Sequence, residues 1–301
     1  EDQASVQVTE TDRFLTIESE KFTYRYSKLS GLFEQVSLNG KELLAAPMEV
    51  NIWRAPTDND RKIKLEWKAA GYDRSNARAY DTTWEIRRGA AGCVNDESVI
   101  IHSTMSVAAA ALQKVLDIEA EWKVQSTGEI SVIMQVKKNM EFPQLPRFGL
   151  RLFLKKEYEG LKFYGLGPHE SYVDKCRSCS HGLYESTVEE QNEDYLRPQE
   201  NGSHTDCDYM VLEKEAQTFM AVSPKPFAFN VSYYTQEELT EKAHNFELEK
   251  SGNTVVCLDY GQNGIGSNSC GPKLRKEYRL DQERFTFEMM FIWKGMRGTH
   301  E

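Results

Sequence analysis

Large apolar residues recur at every second position through most of this chain. Val6-Gln7-Val8, Phe14-Leu15-Thr16-Ile17 and Phe22-Thr23-Tyr24-Arg25-Tyr26 open the pattern. That period places alternate side chains on opposite faces of a strand. Val36-Ser37-Leu38 runs into Asn39-Gly40 and then Glu42-Leu43-Leu44, which predicts a tight hairpin. The stretch Val115 to Val124, the turn Ser126-Thr127-Gly128 and the stretch Ile130 to Val136 predict a second hairpin. Further strands are predicted at Phe148 to Leu154, Leu161 to Tyr164, Tyr209 to Leu212, Phe219 to Val222, Phe227 to Tyr233, Val255 to Tyr260 and Phe285 to Trp293.

Helical periodicity is scarce. Thr235-Gln-Glu-Glu238 has the spacing of a capping box and predicts a short helix through Ala243. Ile63 to Ala70 predicts another. No long amphipathic helices alternate with the strands, which argues against a TIM barrel or a Rossmann fold. No linker rich in Pro, Gly or Ser and no internal repeat divides the chain. The expectation is an all-β fold, one large antiparallel sandwich occupying residues 1–301.

Charge narrows the partners. The chain has 37 Lys and Arg against 47 Asp and Glu, a net charge of −10. Such a chain lacks the positive field that nucleic-acid backbones require, so no nucleic-acid partner is expected. No apolar run approaches the roughly 18 residues of a membrane span, and no h-region marks a signal peptide. No membrane partner is expected either. The sequence opens on Glu1 rather than Met, which raises the expectation of a processed chain or a part of something longer.

The cysteines Cys93, Cys176, Cys179, Cys207, Cys257 and Cys270 are too sparse for a disulfide scaffold. Cys176-Arg-Ser-Cys179 with His204 and Cys207 has the ligand spacing of a zinc site, set against the plain alternative of ordinary thiols. A redox pair would sit at a helix start in a βαβ unit, and none is predicted here.

Four polar segments rich in Gly and Pro break the alternation. They are Trp53 to Asp60, Gly165 to Tyr172, Arg197 to Gly202 and Gly264 to Pro272. Loops on a rigid sandwich are common carriers of function. Carboxylates, amides, Arg54 and the nearby aromatic rings of Trp53 and Tyr172 are the mixture that binds sugar hydroxyls and the C–H face of a pyranose. The competing explanation is tight turns whose Asp and Asn cap their own backbones. Asp58, Asp60, Glu170 and Glu200 are the candidate carboxylates for glycoside hydrolysis, which needs two of them roughly 5 to 9.5 Å apart. His169 beside Glu170 is a candidate acid–base group.

Taken in order, these motifs resemble a known family. Trp53-Arg-Ala-Pro-Thr-Asp-Asn-Asp60 with Trp67-Lys-Ala-Ala-Gly71, Gly165-Leu-Gly-Pro-His-Glu170 with Tyr172, Gly182-Leu-Tyr184, Pro198-Gln-Glu-Asn-Gly202 and Gly264 to Pro272 resemble the C-terminal small-chain domain of family 2 β-galactosidases. Order and spacing agree across residues 12–295. The resemblance implies the antiparallel supersandwich shared with galactose mutarotases. It implies a retaining β-galactosidase whose nucleophile and acid/base glutamates lie in a preceding TIM barrel that is not in this sequence. In some members the small chain is a separate subunit. The implied partners are that barrel, a β-galactoside substrate and further copies in a homo-oligomer. No cofactor is implied for this domain, since Mg and Na belong to other domains of such enzymes. The implied location is the cytoplasm, or the periplasm where an upstream signal is removed.

The resemblance also assigns candidate carbohydrate-binding residues: Arg54, Asp58, Asn59, Asp60, His169, Glu170, Glu200, Asn201 and Cys270. No catalytic residue is assigned within this chain. Cys270 stands where well-known members carry a Trp sugar platform. The loop after Asp60 is shorter than in those members. Ser203-His204-Thr205-Asp206-Cys207-Asp208 replaces an Arg-bearing stretch. Two other readings follow from fold alone. One is a free-standing mutarotase-like epimerase with His169 as acid and Glu170 or Glu200 as base. The other is a carbohydrate-binding module.

Overall fold

The alternating segments close into two antiparallel sheets. The computed structural model describes residues 6–88, 97–155, 158–215, 217–266 and 269–295. The first sheet runs in sequence order: β1 (Gln7–Glu10), β2 (Phe14–Glu18), β3 (Phe22–Ser27), β4 (Leu32–Leu38) and β5 (Lys41–Glu42). The Asn39-Gly40 turn joins β4 to β5 as predicted, with both residues at positive φ (50° and 72°). That is what a two-residue primed turn requires.

The second sheet contains β6 (Leu44–Asn51), β7 (Ser75–Arg87), β8 (Ser98–Ala109), β9 (Leu116–Gln125), β10 (Ile130–Lys138) and β11 (Arg147–Lys155). It continues with β12 (Gly160–Gly167), β13 (Ser180–Thr187), β14 (His204–Lys214), β15 (Gln217–Ser232), β16 (Asn253–Gln262) and β17 (Arg284–Gly295). Its main path is β13-β12-β14-β15-β17-β10-β9-β8-β7. A branch leaves β15 through β16 to β11 and β6. The predicted strands at Phe219 to Val222 and Phe227 to Tyr233 are therefore one continuous strand, β15. Its first part pairs with β17 and its last part with β16.

The alternation missed β6, β7, β8 and β13. β7 and β13 lie at the two edges of the main path and have few buried positions, so their sequences carry little apolar signal. Two short helices are present, α1 (Ile63–Ala69) and α2 (Gln236–Glu241). Thr235 Oγ1 accepts from Glu238 N at 3.1 Å, the first half of the predicted capping box. The Glu238 carboxylate instead accepts from Glu249 N at 2.8 Å, and the helix stops at Glu241 rather than Ala243.

Both sheets feed one buried core. Tyr26, Phe33 and Trp122 interlock edge to face, with ring centroids 5.2 to 6.4 Å apart. Their polar handles are all met. Tyr26 Oη lies 2.8 Å from Ser103 Oγ, and Trp122 Nε1 donates to Gly31 O at 3.2 Å. Buried aromatic rings add geometric preference to their large apolar area, provided the polar tips find partners. Among the described residues, no helix is long and apolar enough to cross a membrane.

Candidate functional site

The four irregular segments, far apart in sequence, are bonded to one another in the fold. Glu200 N donates to Ala55 O at 3.0 Å, and Asp58 N to Gln199 Oε1 at 3.1 Å. These bonds join the first segment to the third. Asn59 Nδ2 donates to Ile265 O at 2.7 Å and Arg61 Nη2 to Ser269 O at 3.3 Å, joining the first to the fourth. Ser171 N donates to Ser203 O at 2.7 Å and Gly202 N to Glu170 Oε2 at 2.8 Å, joining the second to the third. Asp174, two residues past the second segment, accepts from Ile265 N at 2.9 Å and Gly266 N at 2.7 Å and so ties that stretch to the fourth.

Buried arginines fix this assembly. Arg54, wholly buried, grips Asp60 through Nε at 3.1 Å and Nη2 at 2.8 Å. Its remaining donors reach Asn263 O and Gly264 O. The guanidinium sits 5.4 Å from the Trp67 ring, a cation–π contact supplied by α1. Asp60 also accepts from Thr57 N at 3.0 Å, closing the 3-10 turn Asp58–Arg61. Arg147, at the start of β11, forks onto Asp259 of β16 through Nε at 3.2 Å and Nη2 at 2.5 Å. Its Nη1 reaches Glu200 Oε2 at 3.2 Å. Ser203 Oγ donates to the other Glu200 oxygen at 2.7 Å. Planar, five-donor arginine suits such sites because it binds carboxylates in a fork.

One guanidinium faces two carboxylates here, and all three are buried. Burial pushes the Asp259 carboxyl up to about 6, against the pull of Arg147, and nearby Glu200 adds to the rise. Two glycines make the close packing feasible. A Cβ on Gly149 would lie 2.0 Å from Leu258 O, where β11 and β16 shift register. Gly202, at φ 69°, would place a Cβ 2.1 Å from Gln191 O.

The predicted residues divide by exposure. Arg54, Asp60, Glu200 and Asn201 are buried, and they bond the segments to one another. Asn201, for instance, accepts from Glu193 N at 2.9 Å and donates to Gln199 O at 2.8 Å. The Glu170 side chain is nearly buried and is held by Lys175, by Tyr195 Oη at 3.1 Å and by Gly202 N. Asp58, His169 and Cys270 are exposed, and Asn59 is half-buried. Three of the four candidate carboxylates are thus engaged by cations: Asp60 by Arg54, Glu170 by Lys175 and Glu200 by Arg147. Asp58 alone of the four keeps its carboxylate in solvent. Both bases considered for an epimerase, Glu170 and Glu200, are held in ion pairs.

Sequence reasoning missed Arg147, Asp174 and Asp259. Arg147 and Asp259 lie in strands buried on both faces, and a charge in such a strand was the available signal. Asp174 gave none, because its role depends on a segment 91 residues away. The proposed zinc quartet is not assembled. His204 is buried, with Nδ1 3.0 Å from Leu166 O and Nε2 2.6 Å from the Gln191 carboxamide. Burial lowers its pKa to about 4, so the ring is neutral. Cys179 Sγ is 3.4 Å from His169 O. Among the described residues, no group of three or more His, Cys, Asp or Glu is placed to hold a metal ion. Cys93, Ser267 and Asn268 lie outside the described residues.

The architecture has a counterpart of known structure. A galactose 1-epimerase from Lactobacillus acidophilus NCFM aligns over 97% of this chain and 99% of its own, with a TM-score of 0.50 and 9% identity. The fold is therefore an antiparallel supersandwich of the galactose mutarotase type. The sequence carries the identification further. The family described as beta galactosidase small chain matches residues 18–291, and the chain belongs to that family. It is similar to a beta-galactosidase of Actinobacillus pleuropneumoniae, 38% identical over 292 residues, covering 96% of this chain and 28% of that protein. It is also similar to a beta-galactosidase of Staphylococcus xylosus, 34% identical over 294 residues, covering 97% of this chain and 29% of that protein. The chain thus spans less than a third of the length of these relatives.

Proposed function

We propose that this chain is the C-terminal small-chain domain of a retaining family 2 β-galactosidase that hydrolyses terminal β-D-galactosides. In this reading it shapes the substrate pocket and subunit contacts, and a preceding TIM barrel supplies the catalytic glutamates. The observation that supports the reading is the bonding of the four family motifs to one another, with three of their four candidate carboxylates held by cations. A retaining enzyme needs two carboxyl groups roughly 5 Å apart and free to react. Asp60, Glu170 and Glu200 are ion-paired instead. They make a rigid rim and leave the chemistry to another part of the enzyme.

Asp58, Asn59, His169 and Cys270 are the residues proposed to face the sugar. Arg54, Asp60, Glu170, Glu200 and Asn201 are proposed to position them. No cofactor is assigned to this domain, and the full enzyme is proposed to be a cytoplasmic homo-oligomer. The test is hydrolysis of a chromogenic β-galactoside. The chain alone should show none, and adding it to the barrel portion of the same enzyme should restore turnover. Normal turnover by the chain alone, or no restoration on mixing, would overturn the reading.

A further inference from the structure

The zinc quartet is not assembled, but two of its members stay together. Residues 176–179 form a turn, with Cys179 N donating to Cys176 O at 3.0 Å. Such a turn keeps the Cα atoms of its first and fourth residues within about 7 Å, and disulfides span roughly 4.4–6.8 Å. The turn is anchored on both sides. Ahead of it, Tyr172 and Lys175 exchange two backbone hydrogen bonds of 2.9 Å each. Behind it, where β13 begins, Tyr184 Oη donates to Ser180 O at 2.9 Å. The two cysteines are thus carried on backbone that other bonds already fix.

Accessibility singles out the same pair. Cys176 and Cys179 are free thiols, and both are partly exposed. Cys207 and Cys257 are buried. Burial pushes the Cys207 thiol well up and the Cys257 thiol up to about 12, so neither is a nucleophile near neutral pH. Cys270 is exposed but has no neighbouring cysteine in the sequence. Cys179 also touches the second irregular segment. Its thiol donates to His169 O at 3.4 Å and lies 3.7 Å from Glu170 O. A disulfide sulfur has no hydrogen to donate, so oxidation of Cys179 ends that bond. The pair sits in a turn and not at a helix N-terminus, which makes it a site that accepts oxidation rather than an oxidoreductase centre.

We propose that Cys176 and Cys179 form a reversible intrachain disulfide by exchange with a small disulfide such as oxidised glutathione. One cysteine thiolate attacks a glutathione sulfur, releases one reduced glutathione and leaves a mixed disulfide on the chain. The second thiolate attacks the protein sulfur of that mixed disulfide and releases the other glutathione. The two cysteines lose two protons and two electrons, and the oxidised glutathione gains both to become two thiols. The hold of Cys179 on His169 O is lost in the oxidised chain. The inference does not rest on the enzyme assigned above. Mixtures of reduced and oxidised glutathione applied to the 301-residue chain test it. As the oxidised fraction rises, peptide mapping should show Cys176 joined to Cys179 with no adduct on either, and dithiothreitol should reverse the link. Cys176→Ser and Cys179→Ser should each stop at a glutathione adduct on the remaining cysteine. Amide hydrogen exchange across His169 to Ser171 should quicken about twofold or more in the oxidised chain, as the loss of one weak hydrogen bond requires. Two cysteines that stay reduced, a mixed disulfide that never closes, or a link to Cys270 instead would overturn the proposal. Unchanged exchange at His169 to Ser171 would overturn the coupling to the second segment.

Discussion

The interior beneath the first sheet and the region where the four segments meet hold their residues by opposite means. Tyr26, Phe33 and Trp122 pack through rings, and single hydrogen bonds meet their polar tips. Arg54 and Arg147 replace that packing with forked ion pairs in full burial. Apolar packing tolerates small losses, because each contact is weak and the rest remain. A buried ion cluster does not, because removing one member leaves another charge without solvent or partner. The contrast explains why irregular segments can be held so firmly. They lack a ladder of backbone bonds, and directional charged bonds take its place.

The sharpest way to break this comparison is Arg147→Met, which keeps the stem volume and removes the charge. Two buried carboxylates then lose their cation, and about 3–5 kcal/mol of stability should be lost in urea unfolding. Adding Glu200→Gln and Asp259→Leu should return much of that loss. A triple variant as weak as the sum of its singles would show that the cluster does not act as a unit.

The next effect is pH dependence. Asp259 has a folded pKa of about 6 against an ordinary 3.8, so its contribution is fully present below 3.8 and is lost as pH rises through 6. His204 has a folded pKa of about 4 against 6.5, so its contribution is present above 6.5 and is lost as pH falls toward 4. The two oppose each other across the interval between about 4 and 6. Asp259→Asn removes the first and should make stability fall more steeply on acidification than in the parent. An unchanged slope in denaturant titrations across that interval would remove Asp259 from the account.

The smallest effect belongs to the apolar interior. Tyr26→Phe deletes one hydroxyl bonded to Ser103, which keeps Thr82 Oγ1 at 2.9 Å as a partner. The ring and its packing remain, so the loss should be about 1 kcal/mol in thermal or urea unfolding. A loss as large as that of Arg147→Met would erase the distinction between the two regions.

The strands and turns were largely legible because their signals are local. Alternation at β3, β9 and β10 and the Asn39-Gly40 turn each lie within a few residues. The four irregular segments were legible for the same reason, since Gly, Pro and clustered polar residues interrupt a strong period. The missed edge strands, β7 and β13, show the limit of that signal, because a strand that buries little has little apolar alternation to read.

The chain's own residues thus determined the all-β class, most of the strands, the places where the alternation breaks and the likeness to a small-chain family. Only the tertiary structure decided what the charged residues in those breaks do. Sequence treats Asp58 and Asp60 as equivalent carboxylates two positions apart. Folding leaves the first in solvent and drives the second onto a buried arginine. Arg54 meets Asn263 from 209 positions away, and Arg147 meets Glu200 and Asp259 across 53 and 112. A periodic pattern records which face a residue takes. Whether a charge finds a partner there depends on chain segments that no local window contains.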